Sequence, residues 1–206
     1  MKKILMTLVA AMATVSMSAQ YYVGGTLGFG STKTPGATTE VKTSNFSIAP
    51  EVGMALDEKL GVGIAINFNS STNKTEFIGT AAGTPSVETT VTTIGLQPYA
   101  RYQFLKLGKA NIFIDGGINF AMQSQKDMKA GMELGLFATP GIAFDINDQW
   151  SLVAKVNRIF DLTYRKQPVP DVAGAPDAPT SFDLNAGLRN DLFTSGGLTF
   201  GIYYKF

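Results

Sequence analysis

The feature that most constrains this chain is a period-two alternation, repeated in segments of nearly equal length. Phe46, Ile48, Pro50, Val52, Met54 and Leu56 fall on one face of an extended segment, and Ser47, Ala49, Glu51, Gly53 and Ala55 on the other. After Asp57-Glu58-Lys59, Leu60, Val62, Ile64, Ile66 and Phe68 oppose Gly61, Gly63, Ala65 and Asn67. Successive strand side chains point to opposite faces, so each segment is a two-sided strand. Each is also about as long as a tilted strand must be to cross a bilayer, about 9–11 residues. The pattern recurs over Thr92–Phe104, Ile112–Met122, Met132–Phe144 and Trp150–Asn157, and Tyr21–Gly30 and Leu198–Phe206 add a strand at each end. That predicts an all-β chain of eight strands. An even number can close as an antiparallel up-and-down barrel with no open edge.

Alternation alone does not say which face meets water, because a soluble lipocalin-like barrel and a transmembrane β-barrel both alternate. Four features favour the membrane arrangement. The less apolar face is mostly Gly, Ala, Ser, Thr and Asn, which suits the cramped lumen of an eight-stranded barrel. Only 16% of the residues are charged, against about 25% in ordinary globular domains. The connections alternate between short ones, Asp57–Lys59, Leu105–Lys109 and Asp145–Gln149, and longer ones, Ser31–Asn45, Ser70–Val91, Gln123–Gly131 and Asp161–Gly197. Short periplasmic turns and long external loops produce that asymmetry. Finally, aromatics sort by end. Tyr21, Tyr102, Phe104, Phe144, Trp150, Tyr204 and Phe206 lie near the short turns, and Phe29, Phe46, Phe68, Phe120 and Phe160 near the loops. Two aromatic girdles flanking an apolar band mark the two membrane interfaces.

The first residues form a separate unit. Lys2 and Lys3 precede an apolar run from Ile4 to Val15 and the small residues Ser16, Ser18 and Ala19. This is the layout of a secretory signal peptide, and the run is too short for a spanning helix of about 20 residues. The expected organisation is a signal peptide over 1–19, cleaved after Ala19 or alternatively after Ser18, and a barrel domain over 20–206. Removal of Lys2 and Lys3 leaves 15 basic against 16 acidic residues. Nothing in that balance suggests nucleic-acid binding, which needs clustered Lys and Arg.

Candidate chemistry is sparse. The chain has no His and no Cys, so it lacks the commonest general base, the commonest transition-metal ligand and any thiolate. No catalytic, metal or cofactor site is expected, and a serine without a base is a weak nucleophile. The inward face does carry Glu51, Arg101, Asp115, Glu133 and Lys155. Buried charges need partners, so these five are expected to pair in a polar lumen rather than line an ion path. Arg101 would lie close to Asp115 if the turn between their strands is centred near Leu107. Ile48-Ala-Pro50, Leu96-Gln-Pro98 and Ala138-Thr-Pro140 recur at similar places in the second, fourth and sixth strands. They read as structural bends on the outward face. In the longest loop, Pro168, Pro170, Pro176 and Pro179 suggest an irregular tip, and Phe182–Ala186 alternates like a strand extension, as does Val87–Thr93.

The C-terminus, Thr199-Phe-Gly201-Ile-Tyr-Tyr204-Lys-Phe206, resembles the β-signal of Gram-negative outer-membrane proteins at Thr199, Gly201, Tyr204 and Phe206. With the Pro50 and Gly53 phrasing of the Phe46–Phe68 hairpin, the mature chain resembles the small porin-like barrel family related to OmpX and the OmpA membrane domain. The resemblance implies export to the outer membrane, recognition of the last strand by the assembly machinery, and contact with outer-membrane lipid and lipopolysaccharide. It also implies a monomer that acts structurally or binds an extracellular ligand through its loops, the alternative being a narrow channel for small solutes or ions. No peptidoglycan-binding domain follows Phe206, so tethering to the cell wall is not expected.

Overall fold

A backbone N–H or C=O inside hydrocarbon finds no water, so strands that cross a bilayer must close on one another. The computed structural model describes residues 20–36, 38–77, 86–156, 158–172, 177–187 and 198–206, and in it the chain closes. The expected signal segment, 1–19, lies outside the described residues. Five long strands come first: β1 (Tyr21–Pro35), β2 (Thr39–Ala55), β3 (Leu60–Phe77), β4 (Val87–Leu107) and β5 (Ala110–Gln125). The short β6 (Met128–Lys129) precedes β7 (Gly131–Asp145), the sixth stave of the barrel. The seventh stave is made of β8 (Trp150–Val156) followed by β9 (Phe160–Lys166), and the eighth of β11 (Thr180–Ala186) followed by β12 (Leu198–Lys205). All neighbours are antiparallel, and β12 returns to β1 with Tyr22 opposite Lys205 and Leu27 opposite Phe200. The expected eight-stranded antiparallel barrel is the observed fold.

The tight turns are built by local hydrogen bonds. The Oδ1 atom of Asp57 accepts the backbone N–H groups of Lys59 and Leu60, both at 2.7 Å. Asn147 does the same for Gln149 and Trp150, at 2.9 and 2.8 Å. Such Asx turns substitute a side-chain acceptor for a backbone one. Between β4 and β5 the job falls to Gly108, whose φ of +60° suits a residue without Cβ. This turn is shorter than the expected Leu105–Lys109, because β4 runs on to Leu107 after a bulge between Gln103 and Leu105.

At the other end the expected loops are largely strand. Gly30–Pro35 pairs with Glu40–Asn45, from Gly30↔Asn45 out to Pro35↔Glu40, and Ser70–Phe77 pairs with both β2 and β4. Part of the Pro-rich tip is strand as well, and Pro176 lies outside the described residues. Val169–Pro170, designated β10, pairs with β6 through Val169↔Lys129.

The three prolines do face outward, and Pro50 and Pro98 do not shift the register. Pairing passes from Ile48↔Phe68 to Glu51↔Ala65 across Pro50, and from Leu96↔Phe120 to Tyr99↔Gly117 across Pro98, with residue sums unchanged. Each proline withholds one ladder donor and the strand continues. Pro140 stands where β7 changes partner, from Lys155 opposite Gly141 to Phe160 opposite Ala138.

The outward face is apolar and open, with Leu27, Val52 and Leu152 each more than half exposed. The inward face holds Glu51, Asp115, Asn119 and Thr163, all buried. This is the reverse of a lipocalin and removes that alternative. Trp150, Tyr204 and Phe206 pack edge to face at the short-turn end, with ring centroids 4.9 and 5.0 Å apart.

The Asp57 carboxyl is held below its ordinary value chiefly by the Lys59 and Leu60 N–H groups. A depressed carboxyl contributes stability above its unfolded pKa and loses it as the pH falls toward the folded value. The refolded protein and Asp57→Asn should therefore differ in urea midpoint at neutral pH. The gap should close on acidification through about pH 4.

Candidate functional site

The lumen is filled in tiers. At the short-turn end, Asp145 of β7 accepts from Lys205 Nζ and Ser151 Oγ, both at 2.6 Å, and from Asn111 Nδ2 at 2.9 Å. Direct register across β4 and β5 places Arg101 opposite Asp115, one tier further in. The guanidinium binds the carboxylate in bidentate fashion, Nε to Oδ1 at 2.7 Å and Nη2 to Oδ2 at 2.9 Å. It also donates to the Tyr203 hydroxyl at 3.1 Å and lies 3.6 Å from Glu51 Oε1. Lys155 completes a four-charge cluster, 2.8 Å from Glu51 and 3.1 Å from Asp115. Two cations face two carboxylates, and all four side chains are nearly closed off from solvent.

Aromatic rings box in this cluster. The Arg101 guanidinium carbon lies 4.0 Å from the centroid of the Phe113 ring and 5.2–5.4 Å from those of Tyr22, Tyr99 and Tyr203. The hydroxyls of Tyr22 and Tyr99 hydrogen-bond at 2.8 Å. Glycines on neighbouring staves make room for these rings. A Cβ on Gly63 would stand 2.6 Å from Tyr99, and one on Gly141 would stand 2.5 Å from Phe113. Alternation of small and large residues is how a narrow barrel is filled.

Of the five expected lumen residues, four meet here. Glu133 does not join them. It sits higher, bound by Arg165 at 3.0 Å and Asn119 Nδ2 at 2.7 Å, with Arg158 at 3.8 Å. Arg158 and Arg165 are lumen residues that the alternation concealed, since the expected strand stops at Asn157 and the expected loop starts at Asp161. The aromatic box was visible as Tyr99, Phe113 and Tyr203 on the less apolar face, but small residues dominate that face and set its expected character.

Above the cluster the lumen opens into a cup of about 320 Å³, with Glu51, Tyr99 and Lys155 at its floor and Asn67, Gln97 and Asn119 on its wall. Gln97 donates to Asn119 at 2.8 Å. Glu51 Oε1 and Asn67 Nδ2 are buried there without a hydrogen-bond partner. Among the described residues no three His, Cys, Asp or Glu side chains converge as metal ligands.

The four C-terminal residues lie along β12. Thr199 Oγ1 reaches the Lys155 carbonyl at 3.4 Å, and Gly201 packs against the Gly25 backbone, too close for a Cβ. Tyr204 and Phe206 belong to the aromatic girdle.

Residues 4–206 match a family described as outer membrane protein beta-barrel domain. No curated protein sequence matches the chain. Among solved structures it is similar to the outer membrane protein OprG from Pseudomonas aeruginosa, with 11% identity, a TM-score of 0.51, and 91% of this chain and 95% of that one covered. It is also similar to Neisserial surface protein A, with 12% identity, a TM-score of 0.46, and coverage of 92% and 99%.

Removing one member of a buried charge cluster leaves the others uncompensated, at a cost of about 3–5 kcal/mol. Arg101→Ala should lower the unfolding free energy by that order in a urea titration of the refolded protein. Arg165→Ala, which breaks a more exposed pair, should cost less than about 1 kcal/mol.

Proposed function

Because the chain belongs to the outer membrane protein β-barrel family, and so sits in the outer membrane of a Gram-negative bacterium, we propose that it acts from the external face, as a plugged scaffold that presents a protruding sheet to an extracellular ligand. The observation that carries this reading is strand length. β2, β3 and β4 are 17, 18 and 21 residues long, where about 9–11 suffice to cross. Beyond the outer girdle, Gly30–Pro35, Thr39–Asn45, Asn69–Phe77 and Val87–Thr93 stay in ladder register. Rigid scaffolds carrying exposed segments are where binding function concentrates.

The remaining expectations belong to the same proposal. The 1–19 segment directs export and is cleaved, and Thr199, Gly201, Tyr204 and Phe206 are read by the outer-membrane assembly machinery. The barrel works as a monomer among lipid and lipopolysaccharide without a catalytic step. The cup favours a second reading, a narrow channel for small solutes or ions. It would require the Arg101–Asp115–Glu51–Lys155 cluster to part.

Two measurements separate the readings. In planar bilayers the wild-type protein should show no steady single-channel conductance, whereas a large one would favour the channel. Replacing Ser31–Ser44 by a two-residue turn should leave heat-dependent gel mobility intact and abolish binding of intact cells to the ligand surface that wild-type cells recognise. Unchanged binding by the shortened variant would count against the protruding sheet.

A further inference from the structure

On the outward faces of β1, β2 and β3 the chemistry changes row by row as the strands leave the apolar band. Phe29 lies directly opposite Phe46. Two residues further out Ser31 is opposite Ser44, and Ser44 is opposite Thr72. Two further out again, Lys33 is opposite Lys42, and Lys42 is opposite Lys74. Directly opposite residues have Cα atoms about 4.5–5.5 Å apart, so three ammonium stems start within about 11 Å of one another. Like charges placed directly opposite destabilise a sheet, and this row does so twice.

Three carboxylates, Glu40, Glu76 and Glu88, stand beside the three lysines, but among the described residues only two of them pair with a lysine. Glu40 and Glu76, opposite each other in the next row out, hold the flanking lysines. Lys33 Nζ is 2.7 Å from Glu40, and Lys74 pairs with Glu76. The row ends on β4 at Glu88, opposite Lys74. Exposed Lys42, at the centre, makes no ion pair among the described residues. The field of this group reaches its acids. The Glu76 carboxyl lies below its ordinary value, first through the Lys74 hydrogen bond and further through Lys33 and Lys42.

The height of the row matters as much as its charge. It stands four residues beyond the Phe29–Phe46 pair, about 14 Å along the strands and nearer 10 Å along the membrane normal after a tilt of about 40°. Flexible lysine stems can fold back over that interval toward the headgroup zone. Among the described residues, the other side of the barrel has no such row. There the outward residues of β7, β9 and β11 are Leu134, Tyr164 and Phe182, and the single Lys166 faces Thr180.

We propose that this stack on β1–β3 is a binding site for a phosphorylated glycolipid of the outer leaflet, of the lipopolysaccharide class. Lys42, flanked by Lys33 and Lys74, takes the phosphate. The hydroxyls of Ser31, Ser44 and Thr72 meet the sugar, and Phe29 and Phe46 meet the upper acyl chains. The site shares Ser31–Ser44 with the protruding sheet proposed above but takes a membrane lipid, so point substitutions in the full chain test it separately; it faces away from the cup.

The test uses the refolded full chain in detergent micelles, with native mass spectrometry and thermal unfolding as readouts. The probes are bisphosphorylated lipid A, the same lipid with both phosphates removed, and inorganic phosphate. The bisphosphorylated lipid should stay bound and raise the unfolding temperature. Its affinity should fall at least about tenfold on removal of the phosphates, and by a similar factor in Lys33→Gln/Lys42→Gln/Lys74→Gln. Lys42→Arg should bind like wild type, and so should Lys166→Gln. Equal retention by the triple variant, or equal binding of the dephosphorylated lipid, would overturn the proposal. Competition by millimolar inorganic phosphate as strong as that by the lipid would overturn its glycolipid part. If the triple variant does not refold, Lys42→Gln alone should still lose affinity relative to Lys42→Arg, and equality of those two would overturn it as well.

Discussion

The structure depends on how Arg101 is kept. An eight-stranded barrel has an interior just wide enough for side chains to fill, and a guanidinium placed there loses its water. It is held by a bidentate carboxylate at Asp115 and a hydroxyl at Tyr203. Four rings surround it, and the Phe113 face is closest. Lys155 cannot then rely on Asp115 alone, and Glu51 supplies the second anion from across the barrel, 104 residues away in sequence. The cluster therefore ties β2, β4, β5 and β8 together through side chains, where the ladders link only adjacent staves.

Fitting those rings imposes the glycine pattern. A ring on one stave needs an absent Cβ on the next, as at Gly63 beside Tyr99 and Gly141 beside Phe113. The apolar alternation on the outside and the glycine pattern on the inside are thus one requirement seen from two sides. A one-residue slip would turn every ring toward the lipid and every Leu or Ile into the lumen. Register is strongly specified for that reason, and even Pro50 and Pro98 interrupt single ladder bonds without shifting it.

This coupling explains which parts were legible in the sequence. Strand number, closure, the inward set and the sorting of aromatics all follow from period two, which persists wherever one face meets lipid and the other the lumen. The signal weakens above the outer girdle, where both faces meet water. Thr39–Asn45 and Ser70–Phe77 are therefore polar on both sides and read as loop, although they are paired strands. It fails outright at the seventh stave. Between Lys155 opposite Gly141 and Phe160 opposite Ala138, β8–β9 spends four intervening residues against two on β7. The irregularity breaks the apparent period around Arg158 and Arg165, so Arg165 fell in the expected Asp161–Gly197 loop and Arg158 in no strand. Glu133 stands apart from Arg101 because its cationic partners, Arg158 and Arg165, lie on that irregular stretch.

The tiers also divide the molecule in function. Below the cup, carboxylates and cations are matched and aromatic rings close the space between them. In the cup wall, Asn67 Nδ2 is buried without a protein partner. A signal arriving at the protruding sheet would have to cross the Arg101 cluster to reach the short-turn end. Each group in that cluster is held by at least two others, so displacing one strands a buried charge. The charge cluster belongs to the lower tiers, and among the described residues the outer half of the staves makes no contact with it. The row-by-row change from Phe29 and Phe46 to Lys33 and Lys42 lies in that outer half. It faces the lipid side, where the ladder supplies rigidity and the plug imposes no constraint.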